Sequence, residues 1–345
     1  MSLTPSSSAP HAADEQSPAS QAGLAAEVRD LWKTFGEVHA LAGVSFEVGS
    51  GELFGLLGPN GAGKTTTIRI LTGLSRCDSG SVRVAGIDCT GNPRAALRHI
   101  GVVPDESNLY PELTGFENLC FCASLYGIGR KERRERAHSL LERFGLAEAA
   151  RRRFAGYSKG MKRKLTIAAG LIHRPEILFL DEPTTGIDVT SAREIRQLLS
   201  ELHSAGTTIL LTTHYIEEAE RLCDRIAFMV SGRIAKVDTV RNLLEPLQGL
   251  HAMDISFSGD AGTVLAAVTR ALPEMAFTRT GPSSLRASAS APFGIGALLR
   301  AIEAEGGEVL EARRIRPSLE EVFVRETSIG PEAMKREKER QAKPS

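Results

Sequence analysis

Short apolar runs alternate with helix-periodic segments over much of the chain. Three runs have the length and apolar character of strands buried in a parallel sheet, at residues 52–57, 176–180 and 207–212. Segments with helical periodicity follow them, at residues 66–74, 191–204 and 215–222. This alternation predicts an α/β fold in which helices cover both faces of a mainly parallel sheet.

The alternating segments belong to a predicted first domain, residues 25–247. Its pattern becomes mostly helical at about residues 104–175, which predicts a helical subdomain inserted into the sheet. Further strands are predicted at residues 28–31, 44–48 and 81–84. One large domain with an inserted helical part is therefore expected.

The remaining chain predicts a smaller unit and two tails. Residues 250–327 alternate strand-like and helix-like segments, which predicts a small α+β domain ending in a helix that starts at Pro317. Residues 1–22 are rich in Ser, Ala and Pro, and predict a disordered tail. Residues 331–345 alternate Lys or Arg with Glu, and predict a charged, solvated tail.

Composition narrows the classes of function. Lys plus Arg and Asp plus Glu both number 42, so the formal net charge is zero and nothing global favours nucleic acid. No apolar stretch approaches the roughly 18 residues of a membrane helix, so transport would need another polypeptide to supply the pore. The five cysteines lack zinc spacing, and their odd number favours reduced thiols over a disulfide framework.

The strongest motif follows the first apolar run. It matches the G-x-x-x-x-G-K-[ST] pattern of a phosphate-binding loop, and a helical segment follows it. Glycines let backbone N–H groups converge on phosphate oxygens, Lys64 supplies a positive charge, and Thr65 offers a hydroxyl to Mg²⁺. An accidental glycine-rich turn is the alternative, and both flanks argue against it. The phosphate loop comprises Gly58, Pro59, Asn60, Gly61, Ala62, Gly63, Lys64, Thr65 and Thr66.

Two acidic residues end the apolar run at 177–180. Asp181 would hold magnesium directly or through water, and Glu182 would orient and deprotonate an attacking water. The alternative is a strand that ends in a solvated acidic turn. With the phosphate loop upstream, the nucleotide interpretation is favoured.

A third motif, residues 157–161, opens a predicted helix at 162–172. Ser158 is a candidate N-cap, and Gly160 would let the backbone approach an anion. The basic run at 162–164 would either reinforce phosphate binding or form a solvated helix face. This segment is therefore a second candidate phosphate contact.

These motifs, in this order, resemble the nucleotide-binding subunits of ABC transporters over residues 25–247. The resemblance implies a P-loop NTPase fold that binds and hydrolyses ATP with Mg²⁺, and identifies residues 157–161 as the signature motif. It aligns Phe35 with the aromatic that stacks on adenine, Asp188 with the dimer-contacting D-loop, and His214 with the switch histidine that senses the γ-phosphate. From the residues alone, Phe35 and His214 are also compatible with core positions, and Asp188 with a helix cap.

Two positions depart from the family pattern. Asp105 stands where the family has a glutamine that bridges magnesium and the membrane partner. An aspartate still offers an oxygen ligand, so weaker coupling or altered metal dependence is expected. Lys159 stands where many members have glycine. Residues 157–161 and 316–324 both resemble the drug-export branch, which includes daunorubicin-resistance-type exporters.

The resemblance also implies partners. Two copies would pack head to tail as a homodimer and sandwich ATP between the phosphate loop of one and residues 158–160 of the other. A separate transmembrane permease would carry the cargo, and the chain would lie at the cytoplasmic face of the membrane without binding a specific nucleic acid. The alternatives are an ABC-type ATPase that works without a pore and a regulatory subunit that binds ATP without turnover.

Overall fold

A computed structural model describes residues 23–247, 251–315 and 318–330 of the chain. The predicted tails at 1–22 and 331–345 lie outside the described residues, as do positions 316 and 317, where the drug-export motif and the last helix were predicted to begin.

The strands and helices are as follows. The strands are β1 Leu24–Phe35, β2 Val38–Gly49, β3 Leu53–Leu57, β4 Ser79–Val84, β5 Ile87–Asp88, β6 Ile100–Val103, β7 Ile177–Asp181, β8 Thr208–Thr213, β9 Arg225–Val230, β10 Arg233–Thr239, β11 His251–Phe257, β12 Ala276–Gly281, β13 Ser284–Ala289 and β14 Val309–Ile315. The helices are α1 Lys64–Leu71, α2 Pro93–Ala96, α3 Gly115–Leu125, α4 Arg130–Arg143, α5 Lys159–Leu171, α6 Val189–Ser204, α7 Ile216–Leu222, α8 Val240–Leu244, α9 Ala261–Ala271, α10 Ile295–Glu303 and α11 Leu319–Thr327, and short 3₁₀ turns lie at Phe154–Gly156 and Glu245–Leu247.

The central sheet has six strands in the order β10-β9-β3-β8-β7-β6. Strands β9, β3, β8, β7 and β6 run parallel, and β10 pairs antiparallel with β9. Every residue of β3, β7 and β8 is buried, which explains their continuous apolar character. The predicted parallel sheet is therefore confirmed, and the carboxyl ends of its strands meet at one edge, where ligands bind in such folds.

One face of this sheet is covered differently from the prediction. The strands predicted at 28–31, 44–48 and 81–84 belong to a separate antiparallel sheet, β2-β1-β4-β5, with irregular register between β1 and β2. This sheet packs on the central one through a shared core in which the Phe46 and Phe54 rings stack 5.3 Å apart. A sheet therefore covers part of the face where helices alone were expected, because a strand's local pattern does not specify its partner sheet.

Helices α3, α4 and α5 lie between β6 and β7 along the chain, within the predicted helical stretch. Thr114 and Glu117 form a capping box that fixes the start of α3. The helices pack on the other face of the central sheet through Leu119, Leu141 and Leu165, in one core with Leu57 of β3. The helical part is thus continuous with the sheet's core. None of the described helices is long and apolar enough to span a bilayer.

The C-terminal part has its own core, except for its last helix. Strands β12-β13-β11-β14 and helices α9 and α10 enclose apolar residues that include Phe257 and Ile302. Helix α11 was predicted within this unit, but its apolar residues Leu319, Val322 and Phe323 join the core of the central sheet. The Phe323 ring meets the Phe228 ring edge-on at 5.3 Å. The amphipathic pattern of α11 predicted burial correctly but not the surface that it covers.

Candidate active site

The phosphate loop connects β3 to α1 at the carboxyl edge of the central sheet. Gly61 and Gly63 have left-handed backbones, with φ of 77° and 105°. A Cβ at Gly58 would lie 2.0 Å from the carbonyl oxygen of Met229, so only glycine fits there. Helix α1 begins at Lys64, two residues before its predicted start, so Thr65 lies in its first turn, where backbone N–H groups are free for an anion.

Gly232 links this loop to the antiparallel sheet. Its N–H donates to the carbonyl of Ala62, 2.9 Å away, and its carbonyl accepts from the N–H of Ala42 in β2, 2.8 Å away. Its φ is 74°, and a Cβ there would lie 2.8 Å from the carbonyl oxygen of Ala40. The phosphate loop is thus held against β2 by one glycine.

Lys64 is buried inside the loop. Its Nζ donates to the carbonyls of Gly58 and Pro59, at 2.7 and 3.1 Å, and lies 3.3 Å from Oε1 of Glu182. The lysine therefore joins the phosphate loop to the acidic end of β7.

Asp181 is the last residue of β7 and is buried. Its Oδ1 accepts hydrogen bonds from the hydroxyls of Thr65 at 3.1 Å and Thr212 at 2.5 Å. The structure thus brings together Thr65 and Asp181, two of the three oxygen donors predicted for magnesium, and such donors suit that hard cation.

Asp105, the third predicted metal ligand, forms an ion pair with Arg163. Its side chain is about half exposed, and its Oδ1 lies 3.4 Å from Nη2 of Arg163. Within the described residues, no group of three His, Cys, Asp or Glu side chains is arranged to hold a metal ion. Asp105 follows β6, the parallel neighbour of β7, so it lies at the same edge of the sheet as Asp181 and Glu182, but these carboxylates are not arranged as such a group.

Glu182 is buried beside three groups that bind its carboxylate. Its Oε2 accepts from His214 Nδ1 at 2.7 Å and from the Thr185 hydroxyl at 2.9 Å, in addition to the Lys64 contact. Burial alone would raise the pKa of Glu182, but the hydrogen bond with His214 and the charge of Lys64 outweigh it and lower the pKa below its usual 4.5. The carboxylate is therefore ionised at neutral pH.

The backbone of Glu182 is strained. Its φ of 48° is in the left-handed region, which costs a non-glycine residue about 1–3 kcal/mol and persists only where neighbours fix it. Its N–H donates to the Thr212 hydroxyl at 3.1 Å, and its carbonyl accepts from the N–H of Thr185 at 3.2 Å. The surroundings thus hold this residue in one orientation.

His214 directly follows β8 and is buried. From the residues alone a core histidine was the alternative, but the partner of His214 is Glu182, and its ring lies 4.0 Å from that of Tyr215. Strands β7 and β8 are parallel neighbours, so their ends bring the two residues together. The sequence predicted each residue separately, and the sheet supplies the contact.

The signature segment and the D-loop form a second group. Ser158 caps α5 by accepting from the N–H of Met161 at 3.2 Å, which confirms the predicted cap, although α5 begins at Lys159 rather than at residue 162. Asp188 caps α6 by accepting from the N–H of Ser191 at 2.9 Å. A Cβ at Gly160 would lie 2.2 Å from the Ser191 hydroxyl oxygen. The two motifs therefore meet around Ser191.

Phe35 ends β1, and its ring is not part of the core. It is 53% exposed, and Lys33 Nζ lies 5.2 Å from its centroid. The core alternative for Phe35 is therefore wrong, because about half of its side chain is open to solvent.

Three site residues were missed from the sequence. Thr212 and Thr185 contact Asp181 and Glu182, and their positions beside the acidic pair and before His214 were the only available signal. Arg163 is buried and bonds to backbone carbonyls, including that of Glu182. It lies in a basic run of the kind that usually marks an exposed face, so the sequence carried no signal for its burial.

A glycine loop at a helix start, with a buried carboxylate pair at the end of another parallel strand of the same sheet, is the arrangement of a P-loop NTPase. The profile of the ABC transporter family matches residues 41–185. Two curated relatives agree with it. A linearmycin resistance ATP-binding protein of Bacillus subtilis is 40% identical over 70% of this chain and 78% of its own length. A doxorubicin resistance ATP-binding protein of Mycobacterium tuberculosis is 38% identical over 90% and 96%.

Solved structures agree. An ATP-binding subunit of an ABC transporter superposes with a TM-score of 0.59 and 32% identity, over 64% of this chain and 92% of that one. The dimeric post-hydrolysis cassette MJ0796, bound to ADP and Pi, gives 0.58 and 28% over 63% and 99%. The chain belongs to the ABC transporter family: it is an ATP-binding, ATP-hydrolysing subunit, and it resembles the drug-export branch.

Proposed function

We propose that this chain powers export through a separate membrane permease by hydrolysing ATP at the phosphate loop. The observation that supports this most is the convergence of Lys64, His214 and Thr185 on the carboxylate of Glu182, beside the Thr65–Asp181 pair. Such a constellation holds a base next to the position that a γ-phosphate would take. Phosphoryl transfer depends mainly on such positioning and on charge neutralisation.

Magnesium would be held by Thr65 and Asp181. When bound, it neutralises charge on the β- and γ-phosphates. Thr212 fixes the Asp181 carboxylate through its 2.5 Å hydrogen bond, and leaves the second oxygen of that carboxylate for an ion or its water. Asp105 is proposed to act from the edge of this site.

Glu182 would orient and deprotonate the attacking water. Its lowered pKa keeps it ionised, so it is ready to accept a proton at neutral pH. His214 would contact the γ-phosphate when ATP is bound, and it binds Glu182 at 2.7 Å in this structure. Loss of the phosphate would therefore be sensed by the same imidazole that orients the base.

The ATP-bound state is proposed to be a homodimer. Ser158 and Gly160 of one copy would contact the nucleotide on the other copy's phosphate loop, and Asp188 would lie at the dimer contact. The dimeric structure of the related cassette MJ0796 supports this arrangement. Adenine would stack on the exposed face of Phe35.

Export and membrane association are proposed from the relatives. The names of three of them state linearmycin resistance, doxorubicin resistance and Nod factor export. A permease would select the cargo, and this subunit would sit at the cytoplasmic face of the membrane. Copurification of a membrane protein with this chain would identify the permease.

Glu182→Gln tests the catalytic role. We expect ATP binding to be retained, turnover to fall by about 10²–10⁴-fold because the base is lost, and ATP to trap a dimer detectable by size exclusion. The matched control is Glu217→Gln on α7, whose side chain is 89% exposed and pairs with Arg221 at 3.8 Å. Hydrolysis by Glu182→Gln at the parental rate would contradict the proposed function.

A further inference from the structure

Arg163 occupies an unusual position for a charged side chain. It lies on α5, five residues after Ser158, and is only 7% exposed. Its Nη1 donates to the carbonyl of Pro104 at 2.5 Å, and its Nη2 to the carbonyl of Asp105 at 2.6 Å and to that of Glu182 at 3.2 Å. One guanidinium therefore joins α5 to the ends of two strands, β6 and β7.

The surroundings of Arg163 compensate for the burial of its charge. Burial lowers the pKa of Arg163, while the nearby carboxylates of Asp105, Asp181 and Glu182 favour the charged form. A guanidinium remains protonated in proteins, so the charge is buried and its hydrogen bonds must offset the cost. The planar fork holds carbonyls of separate segments on two terminal nitrogens in fixed directions, whereas a lysine ammonium would offer its donors from a single point.

Two of the three carbonyls follow β6 and the third follows β7, its parallel neighbour in the sheet. Pro104 and Asp105 follow β6, where the family has its metal- and permease-linked glutamine. The Ser107 hydroxyl also bonds to the Thr166 hydroxyl of α5, at 2.8 Å. Glu182 follows β7 in a left-handed conformation that its neighbours must maintain.

We infer that Arg163 is a positioning residue that couples residues 104–105 to the backbone of Glu182. This inference rests on the proposed role of Glu182 as the base. When residues 104–105 move, the guanidinium moves with them. Because it also binds the Glu182 carbonyl, the orientation of the Glu182 carboxylate changes as well. Arg163 touches neither the phosphate loop nor Asp181 in its hydrogen bonds, so it acts on turnover rather than on ATP affinity.

Arg163→Met tests this inference in the full-length chain. We expect kcat to fall by about 10–100-fold because Glu182 is misplaced, with KM for ATP within about 2-fold of the parent. The control is Arg136→Met on α4, an arginine whose Nη1 also donates to a backbone carbonyl, that of Ile172 at 2.9 Å, and which should keep the parental kcat. Parental kcat in a folded Arg163→Met protein would overturn the inference.

A second variant covers the case in which Arg163→Met fails to fold. Arg163→Lys keeps the charge but not the fork, so it should fold, melt within a few degrees of the parent and still lose about 5–10-fold in kcat. Parental kcat for this variant would show that charge alone suffices, and would also overturn the inference.

A double-mutant cycle separates this inference from the proposed function. Glu182→Asp retains a shorter carboxylate and a measurable rate. If Arg163 acts through Glu182, adding Arg163→Met to Glu182→Asp should cost less than the product of the two single effects. A fully multiplicative loss would assign Arg163 an independent effect, whereas a parental rate for Glu182→Gln would instead overturn the role of Glu182 itself.

Discussion

The nucleotide-binding region buries polar and charged side chains, whereas the C-terminal unit keeps such side chains out of its core. Within the described residues, every buried polar or charged side chain lies between Lys64 and Glu218. The core of β11–β14, α9 and α10 contains only apolar residues. Its main ion pairs, of Arg286 with Asp254 and Glu321, are partly exposed.

This contrast separates a region that contains a functional site from one whose buried residues serve only to pack the fold. Burying a charge costs free energy unless hydrogen bonds compensate, so such groups persist where geometry has to be fixed. Lys64, Asp181, Glu182 and His214 form one such network at the ends of parallel strands. The C-terminal unit shows no comparable arrangement among its described residues, and we expect mutations there to affect stability rather than chemistry.

The largest expected effect tests where helix α11 belongs. Phe323→Ala should destabilise the nucleotide-binding region by about 3–5 kcal/mol, because its ring is fully buried against Phe228 in that core. Thermal inactivation of the ATPase measures this loss. Phe257→Ala, in the separate C-terminal core, is the control and should spare the ATPase on heating. Equal inactivation of both variants would erase the distinction between the two cores.

The next effect concerns a buried hydroxyl. Thr212→Val keeps the shape but removes the donor to Asp181 and the acceptor for the N–H of Glu182, so kcat should fall about 10-fold or more. Steady-state ATPase kinetics measure it. Thr208→Val, at the other end of β8, loses only a bond from the N–H of Gly51 and should keep its turnover. Unchanged kcat for Thr212→Val would show that the Thr212 hydroxyl is not needed for catalysis.

A smaller effect is expected at the departure from the family pattern. Asp105→Gln should change the preference between Mg²⁺ and Mn²⁺ while altering kcat by less than about 10-fold, because the side chain is half exposed and pairs with Arg163. Titrations of activity against each metal provide the measurement. If the activity profiles of parent and variant coincide for both metals, Asp105 does not contribute to metal binding.

The smallest effect is a pH dependence of stability at Glu218. This carboxyl is buried between the Thr184 and Thr213 hydroxyls, at 2.7 and 2.8 Å, and burial raises its pKa above 4.5. A raised folded-state pKa contributes stability at low pH that is lost as pH rises through it. Glu218→Gln mimics the neutral acid, so its melting temperature should gain on the parent by a few degrees between pH 4 and 8. A constant difference over that range would contradict the shift.

The sequence predicted the parts of this molecule whose patterns are local. The phosphate loop, the acidic end of β7 and the apolar runs of β3 and β8 each carry their structural meaning within a few residues. The burial of Arg163, and the core against which α11 packs, depend on contacts between segments that are distant in sequence. A basic run and an amphipathic stripe indicate only exposure and burial in general, so neither could be predicted.

Gly232 has a consequence for which ligands can bind. Because it hydrogen-bonds to both Ala62 and Ala42, it links the phosphate loop, which carries Lys64, to the antiparallel sheet, which carries Phe35 at the end of β1. If Phe35 receives the base as proposed, a compound with a different base-to-phosphate reach would fit one end only. Selection for a whole nucleotide, rather than for its triphosphate, is then a property of how two sheets are spaced.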